Sequence, residues 1–366
     1  MRPVRLFAAL TSAMLVSVVL SGCGGSDESI RAETGAPETS ITTETAAHNG
    51  VIAFAQGEGG LADISVVNPD GSGRAVLVES GADELFPAWS PDGTKLAYTT
   101  DETESGSSSH GDIIVIDADG SNRLNVTDRY DGVPDPSDPG NVWGLKSDDW
   151  DPTWSPDGTQ IAYMGMIGAD TFESGDEQLP DIYVVNVDGS DRRNLTSTPD
   201  WIEVAPEWSP DGKQIAFMSE DINQDSLTLS VISADGSSRR SLTDLDWQPY
   251  RGTNGYLLWI SGLSWSPDGT RIAFSDRATT GNDSWPVHLY VINADGTGRR
   301  DLTEAQPGSA LFPAWSPDGT KIAFVTDRDD DEALYVMDAD GSNPRRIAGS
   351  PTRLGFPDWQ PIPGDE

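Results

Sequence analysis

The chain has 366 residues, 60 acidic against 23 basic, a single cysteine and a formal net charge of −37. A hydrophobic share of 36% with 38 glycines beside it is the composition of a folded chain rather than a disordered acidic one. The charge argues against nucleic acid and against a basic patch on anionic lipid, both of which need clustered Lys and Arg. One cysteine leaves no internal disulfide and no cysteine-rich metal site.

Arg2 and Arg5 precede an apolar run, Leu6 to Leu20, that is short for a membrane span. The run ends Leu20-Ser21-Gly22-Cys23. This resembles a bacterial lipoprotein signal, and the resemblance implies removal of residues 1–22 and lipidation of Cys23. Residues 23–50 are rich in Ser, Thr, Glu and Gly and bury too little to offset ordering, so a disordered tether is expected. Its coil reach is on the order of 25–30 Å. Acyl chains on Cys23 would hold the protein to a cell membrane or outer membrane, in an extracytoplasmic space.

From Val51 onward one pattern recurs. Val51-Ile-Ala-Phe54, Ile64-Ser-Val-Val67 and Arg74-Ala-Val-Leu77 read as three strands, with Asp70-Gly between the last two. Trp-Ser-Pro-Asp-Gly then occurs five times, starting at Trp89, Trp154, Trp208, Trp265 and Trp315. Asp-Gly after an apolar run occurs at Asp70, Asp119, Asp188, Asp235, Asp295 and Asp340. Each unit reads as strand, Ser-Pro-Asp-Gly turn, strand, strand, Asp-Gly turn, strand. Proline presets φ at the second turn position, and glycine supplies positive φ without steric cost. The chain ends on Phe356-Pro-Asp-Trp359, a first strand with no sequel, and the N-terminal trio lacks a first strand. Joining them gives an all-β, six-bladed propeller over residues 51–361, closed by pairing of N- and C-terminal strands in one blade, with residues 362–366 as a tail.

These repeats resemble the TolB-type WD-like repeat. That family is a periplasmic component of the Tol envelope system, with an α/β domain before a six-bladed propeller that binds protein partners. Too few residues precede the first strand here for such an α/β domain. Propeller peptidases carry similar repeats beside a hydrolase domain, for which no room remains.

In such a ring both turns of every unit fall on one face. The loops between second and third strands, and those between blades, fall on the other. The spacings from Asp119 to Trp154 and from Asp235 to Trp265 exceed the remaining ones, so two insertions lie on the loop face, as does the loop from Met164 to Asp181. Six tryptophans belong to the motif, Trp359 included. The other six, Trp143, Trp150, Trp201, Trp247, Trp259 and Trp285, all fall in loop-face segments, with Tyr250 and Tyr256. They either pack the insertions down or form an aromatic binding surface. Arginines such as Arg192, Arg193, Arg239, Arg240, Arg299, Arg300, Arg345 and Arg346 follow the Asp-Gly turns and are expected to balance that face. The loop face is acidic, with Asp148, Asp149 and Asp151 in the largest insertion. That acidity fits either a solvated repulsive surface or a cationic partner.

Asp327, Asp329 and Asp331 alternate as carboxylates do at the start of a calcium loop, without the loop glycine or distant glutamate of an EF-hand. No other cofactor is suggested. No Gly-x-Ser-x-Gly elbow occurs, and acidic pairs alone do not define a glycosidase. The expectation is a non-enzymatic, membrane-tethered scaffold in the bacterial envelope. It would bind a protein or peptide through Trp143, Trp150, Trp201, Trp247, Tyr250 and Trp285. The alternative is a glycan-binding or carbohydrate-processing propeller that uses the same aromatics and carboxylates.

Overall fold

The computed structural model describes residues 48–58, 61–101, 111–127, 133–135, 138–143, 147–167, 179–224, 226–246, 262–278, 286–329, 331–349 and 354–362. The strands form six four-stranded antiparallel sheets. Numbered from the one holding both chain ends, blade one runs outward through Leu354–Ile362, His48–Glu58, Leu61–Val67 and Ala75–Val78. Blade two is Glu84–Trp89, Lys95–Thr100, Asp112–Asp117 and Leu124–Asn125. Blade three is Ser147–Trp154, Gln160–Ile167, Asp181–Asn186 and Arg193–Asn194. Blade four is Trp201–Trp208, Gln214–Asp221, Ser226–Ser233 and Arg240–Leu245. Blade five is Leu263–Trp265, Arg271–Arg277, Val287–Asn293 and Arg300–Asp301. Blade six is Ala310–Trp315, Lys321–Thr326, Ala333–Asp338 and Arg345–Gly349. Innermost strands of successive blades touch all the way round, so the ring closes.

The closure is the one expected from the sequence. Ile52 faces Trp359 and Ala53 faces Asp358 across the joined ends. Pairing extends three residues further at the N-terminal side than the expected start at Val51, because His48 and Asn49 pair with Ile362 and Pro361. Within the first insertion-bearing connection, between blades two and three, Val133–Asp135 and Asp138–Trp143 form a separate two-stranded ribbon.

The turn chemistry explains the repeat. In blade two the Ser90 hydroxyl donates to Asp92 at 2.6 Å and accepts the Lys95 N–H at 2.9 Å, while Asp92 accepts the Thr94 N–H at 3.0 Å. Gly93 takes φ of 67°, the left-handed region that a side chain would strain. Thr94 O accepts the Ala118 N–H, which ties this turn to the Asp-Gly turn beside it and puts both at one end of the blade. The equivalent bond recurs from Val187 to Thr159, Ala234 to Lys213, Ala294 to Thr270 and Ala339 to Thr320.

The apolar core is divided into six clusters, one per interface between neighbouring blades. Each holds one motif tryptophan. Trp154, for example, lies among Ala97, Ile113 and Val115 of blade two and Ile161, Tyr163 and Val185 of its own. The six motif rings are only 2–7% exposed. Middle strands are buried on both sides, as their continuous apolar runs require, whereas the outermost strands are largely exposed.

Candidate functional site

The first strands converge on the axis and line a central cavity of about 180 Å³. Its wall comes from one short pattern, the three residues before each motif tryptophan: Phe86-Pro-Ala, Asp151-Pro-Thr, Ala205-Pro-Glu, Gly262-Leu-Ser, Phe312-Pro-Ala and Phe356-Pro-Asp. The pairing register slips at this point in blades one, two, three, four and six. Proline has no N–H to give the ladder, so a bulge forms there. The residue before it adopts positive φ in five blades, at Phe86, Asp151, Ala205, Phe312 and Phe356. Blade five has no proline and keeps an unbroken register. There Gly262 lets the backbone pack close, because a Cβ would lie 2.8 Å from the Phe312 Cα.

Neighbouring blades satisfy the polar groups of the bulge. Thr99 accepts the Asp151 N–H at 3.2 Å and Ser275 accepts the Phe312 N–H at the same distance. Asp358 accepts the Trp89 N–H at 2.7 Å, and Ser264 accepts that of Trp315 at 3.1 Å. The site is therefore held by the same bonds that hold the ring.

Two sides of the cavity differ. On one, Phe356 lies tilted between Phe86 and Phe312, with centroids 3.9 and 4.4 Å away. On the other lie Asp151 and Glu207, while Asp358, two residues after Phe356 on the same strand, adds a third carboxyl on the phenylalanine side; no Lys, Arg or His is among the described residues that line the cavity. Burial pushes Asp151 up to about 7. It pushes Glu207 up to about 8, helped by the charges of Asp358 and Asp151 and opposed by the Thr153 hydroxyl, which donates at 2.9 Å. Asp358 rises to about 7 through burial, against the pull of the Trp89 and Trp359 N–H groups. A carboxyl in an apolar setting without a counter-cation favours its neutral form.

The acidic insertion is thus resolved into different roles. Asp149 is fully buried and paired with Arg192 at 2.8 Å, while Asp151 faces the cavity. Similar pairs join Glu203 to Arg239 at 2.6 Å and Asp276 to Arg299 at 2.5 Å, each guanidinium stacked on aromatic rings. The turn face is balanced in part as expected, because turn hydrogen bonds first, and then Arg345, Arg193, Arg240 and Arg300, lower the carboxyls of Asp70, Asp235, Asp295 and Asp340. Its aspartates are held by their own turns, as Asp70 is by the Ser72 N–H and hydroxyl. Arg192, Arg239 and Arg299 turn inward, where each compensates a buried carboxylate whose charge would be costly unpaired.

Of the expected loop-face aromatics, Trp150 and Trp201 are described and both are half-buried. Trp150 packs into two interface clusters, stands edge-on to Phe86 at 6.2 Å, and donates its Nε1–H to Asp148. Trp201 carries the Arg239 guanidinium 4.5 Å from its ring centre. Trp143 ends the two-stranded ribbon, and its side chain lies outside the description. Trp247, Tyr250, Trp285 and Cys23 lie outside the described residues.

Asp327, Asp329 and Asp331 are not gathered. Asp327 accepts the Ser309 N–H at 2.6 Å, and Asp329 accepts the Tyr335 hydroxyl and pairs with Arg346 at 3.5 Å. Among the described residues no three His, Cys, Asp or Glu side chains form a metal-holding group.

Three comparisons bear on the fold. The family described as "TolB beta propeller domain" matches residues 254–362. "Protein TolB homolog" of Chlorobium luteolum is 30% identical over 312 residues, 85% of this chain and 60% of that protein. "Uncharacterized peptidase YuxL" of Bacillus subtilis is 32% identical over 166 residues, 40% of this chain and 22% of that one. The chain therefore spans three fifths or less of the length of these relatives. The crystal structure of TolB from Acinetobacter baumannii superposes with a TM-score of 0.59 and 20% identity, over 85% of this chain and 66% of that one. The ring is a TolB-like six-bladed propeller.

Proposed function

We propose that this TolB-like propeller is a non-enzymatic, lipid-tethered binding protein of the bacterial envelope, and that it takes a protein or peptide segment carrying a cationic residue. The observation that carries the reading is the two-sided cavity. Asp151 and Glu207 face three tilted phenylalanine rings, Asp358 stands beside those rings, and no described lining residue supplies a cation. An apolar peptide segment with one Lys or Arg satisfies both sides, through ring contact and charge-assisted hydrogen bonds. The relatives named TolB support an extracytoplasmic setting, and the Cys23 signal supports the tether.

Trp143, Trp150, Trp201, Trp247, Tyr250 and Trp285 stay the proposed contact residues for this partner, and Trp150 stands edge-on to Phe86 of the cavity wall.

Trp89, Trp154 and Trp208 line the cavity and report on it by fluorescence. Titration with a short apolar peptide containing lysine is expected to change their emission, more weakly at high salt. The same peptide with glutamate in place of lysine should give no change, and the E207Q/D358N variant should bind the lysine peptide at least tenfold more weakly. Equal binding of both peptides, or undiminished binding by the variant, overturns the reading.

A further inference from the structure

We propose that the inner ring is a proton-dependent element, in which Glu207 and Asp358 hold protons while the ring is tight and release them with loss of ring stability. Glu207 belongs to blade four and Asp358 to blade one, so they occupy the same position on opposite sides of a six-membered ring. Each also sits at a seam. Thr153 of blade three donates to Glu207, and Trp89 of blade two donates its N–H to Asp358.

The groups facing this pair can be named. Asp151 is the remaining titratable group among the residues that line the cavity; the rest are Phe, Pro, Ala, Trp, Thr, Ser, Leu and Gly. Among the described lining residues none supplies positive charge, so full ionisation would set three like charges around one cavity. Burial already lifts all three toward or above neutrality, and Glu207 rises further because Asp358 and Asp151 repel its charge.

The direction of the pH effect follows. These carboxyls bind protons more tightly in the folded ring than in the unfolded chain. Their contribution is therefore fully present below the ordinary carboxylate range, is lost progressively as pH rises from there, and is gone above about 7 to about 8. Glu203 and Asp276 are also shifted upward by burial, but each faces an arginine, so charge on them is compensated. This separates the cavity carboxyls from the other buried acids.

The test is thermal unfolding of the full chain, without peptide, from about pH 4 to about pH 8 at constant ionic strength. The melting temperature of the wild type is expected to fall across that range. In E207Q/D358N, where neither amide can ionise, most of the fall should vanish while Glu203 and Asp276 are untouched. An unchanged slope in the variant overturns the proposal, as does a flat wild-type profile. Should the double variant fail to fold, infrared spectroscopy of the wild type and of the single variant E207Q decides. A protonated-carboxyl band at neutral pH that fades on alkalinisation, and is reduced in E207Q, supports the proposal; its absence from the wild type overturns it. Peptide binding is not part of this readout, so the two proposals fail independently.

Discussion

Arg345 Nη2 donates to the carbonyl oxygen of Pro69 at 2.7 Å, which fastens the outermost strand of blade six to the Asp-Gly turn of blade one. The same side chain reaches the Asp70 carbonyl at 3.2 Å through Nη1. Equivalent staples run from Arg193 to the Ala234 carbonyl at 2.8 Å and from Arg240 to the Ala294 carbonyl at 2.7 Å. In these three units an arginine shortly after the Asp-Gly turn thus serves the next blade, whereas Arg74 reaches back to the Gly349 carbonyl of the preceding one at 2.9 Å. With one cysteine in the chain, the ring has no covalent closure from a disulfide, and such bonds supplement strand pairing at the joined ends.

The Arg345 staple predicts a local effect. R345A is expected to lower stability by about 1 kcal/mol, since two hydrogen bonds to exposed carbonyls are replaced by water. Hydrogen exchange should quicken first in Leu61–Val67 and Ala75–Val78, the strands of blade one beside the lost contact. R345K should recover only part of the loss, because an ammonium lacks the fork that spans both oxygens. Uniform acceleration across all six blades would show that the contact does not act at the seam.

The motif tryptophans make a finer comparison. Trp154 donates its Nε1–H to the Ala88 carbonyl of the preceding blade at 2.9 Å, whereas the buried Nε1 of Trp208 has no hydrogen-bond partner. Phenylalanine keeps most of the ring packing and removes the N–H. W154F is therefore expected to cost about 1 kcal/mol more than W208F, which sheds an unsatisfied donor. W154A should cost about 3–5 kcal/mol, because the whole indole is lost from an interface cluster. Chemical denaturation of the three variants checks the order, and an equal cost for W154F and W208F would remove the hydrogen-bond argument.

The blades are legible in the sequence because their turns demand particular residues. Ser90, Asp92 and Gly93 each answer a specific hydrogen bond or φ value, so the motif survives in every unit that makes this turn. The unpaired first strand around Trp359 likewise announced its partner. The cavity is less legible. Its carboxyls stand next to or just before the motif tryptophans, at Glu207, Asp358 and Asp151, but one-letter variation there looks like surface variation until the bulge is seen. A comparison of the three residues before each tryptophan would have isolated them. The inward arginines were hidden for another reason: Arg192 and Arg193 are adjacent in sequence, yet one meets a buried aspartate and the other a backbone carbonyl of blade four.

The buried pair Glu203–Arg239 supplies the last prediction. Glu203 is fully buried, accepts from Thr198 at 2.6 Å, and faces a guanidinium that also lies over Phe217. Burial pushes its carboxyl above the ordinary range, while the Thr198 hydroxyl and Arg239 pull it down. Removing the cation leaves only the burial cost. R239M is therefore expected to destabilise the protein by about 3–5 kcal/mol near neutral pH, where an unpaired carboxylate must either stay charged in the core or take up a proton. The loss should shrink as pH falls, since protonation of Glu203 removes the uncompensated charge. Adding E203Q to R239M should restore part of the stability, because the amide keeps the Thr198 contact without a charge to bury. Denaturant unfolding of the single and double variants at two pH values closes this cycle. A double variant less stable than R239M alone would mean that the pair is held by packing on Phe217 and Trp201 rather than by charge.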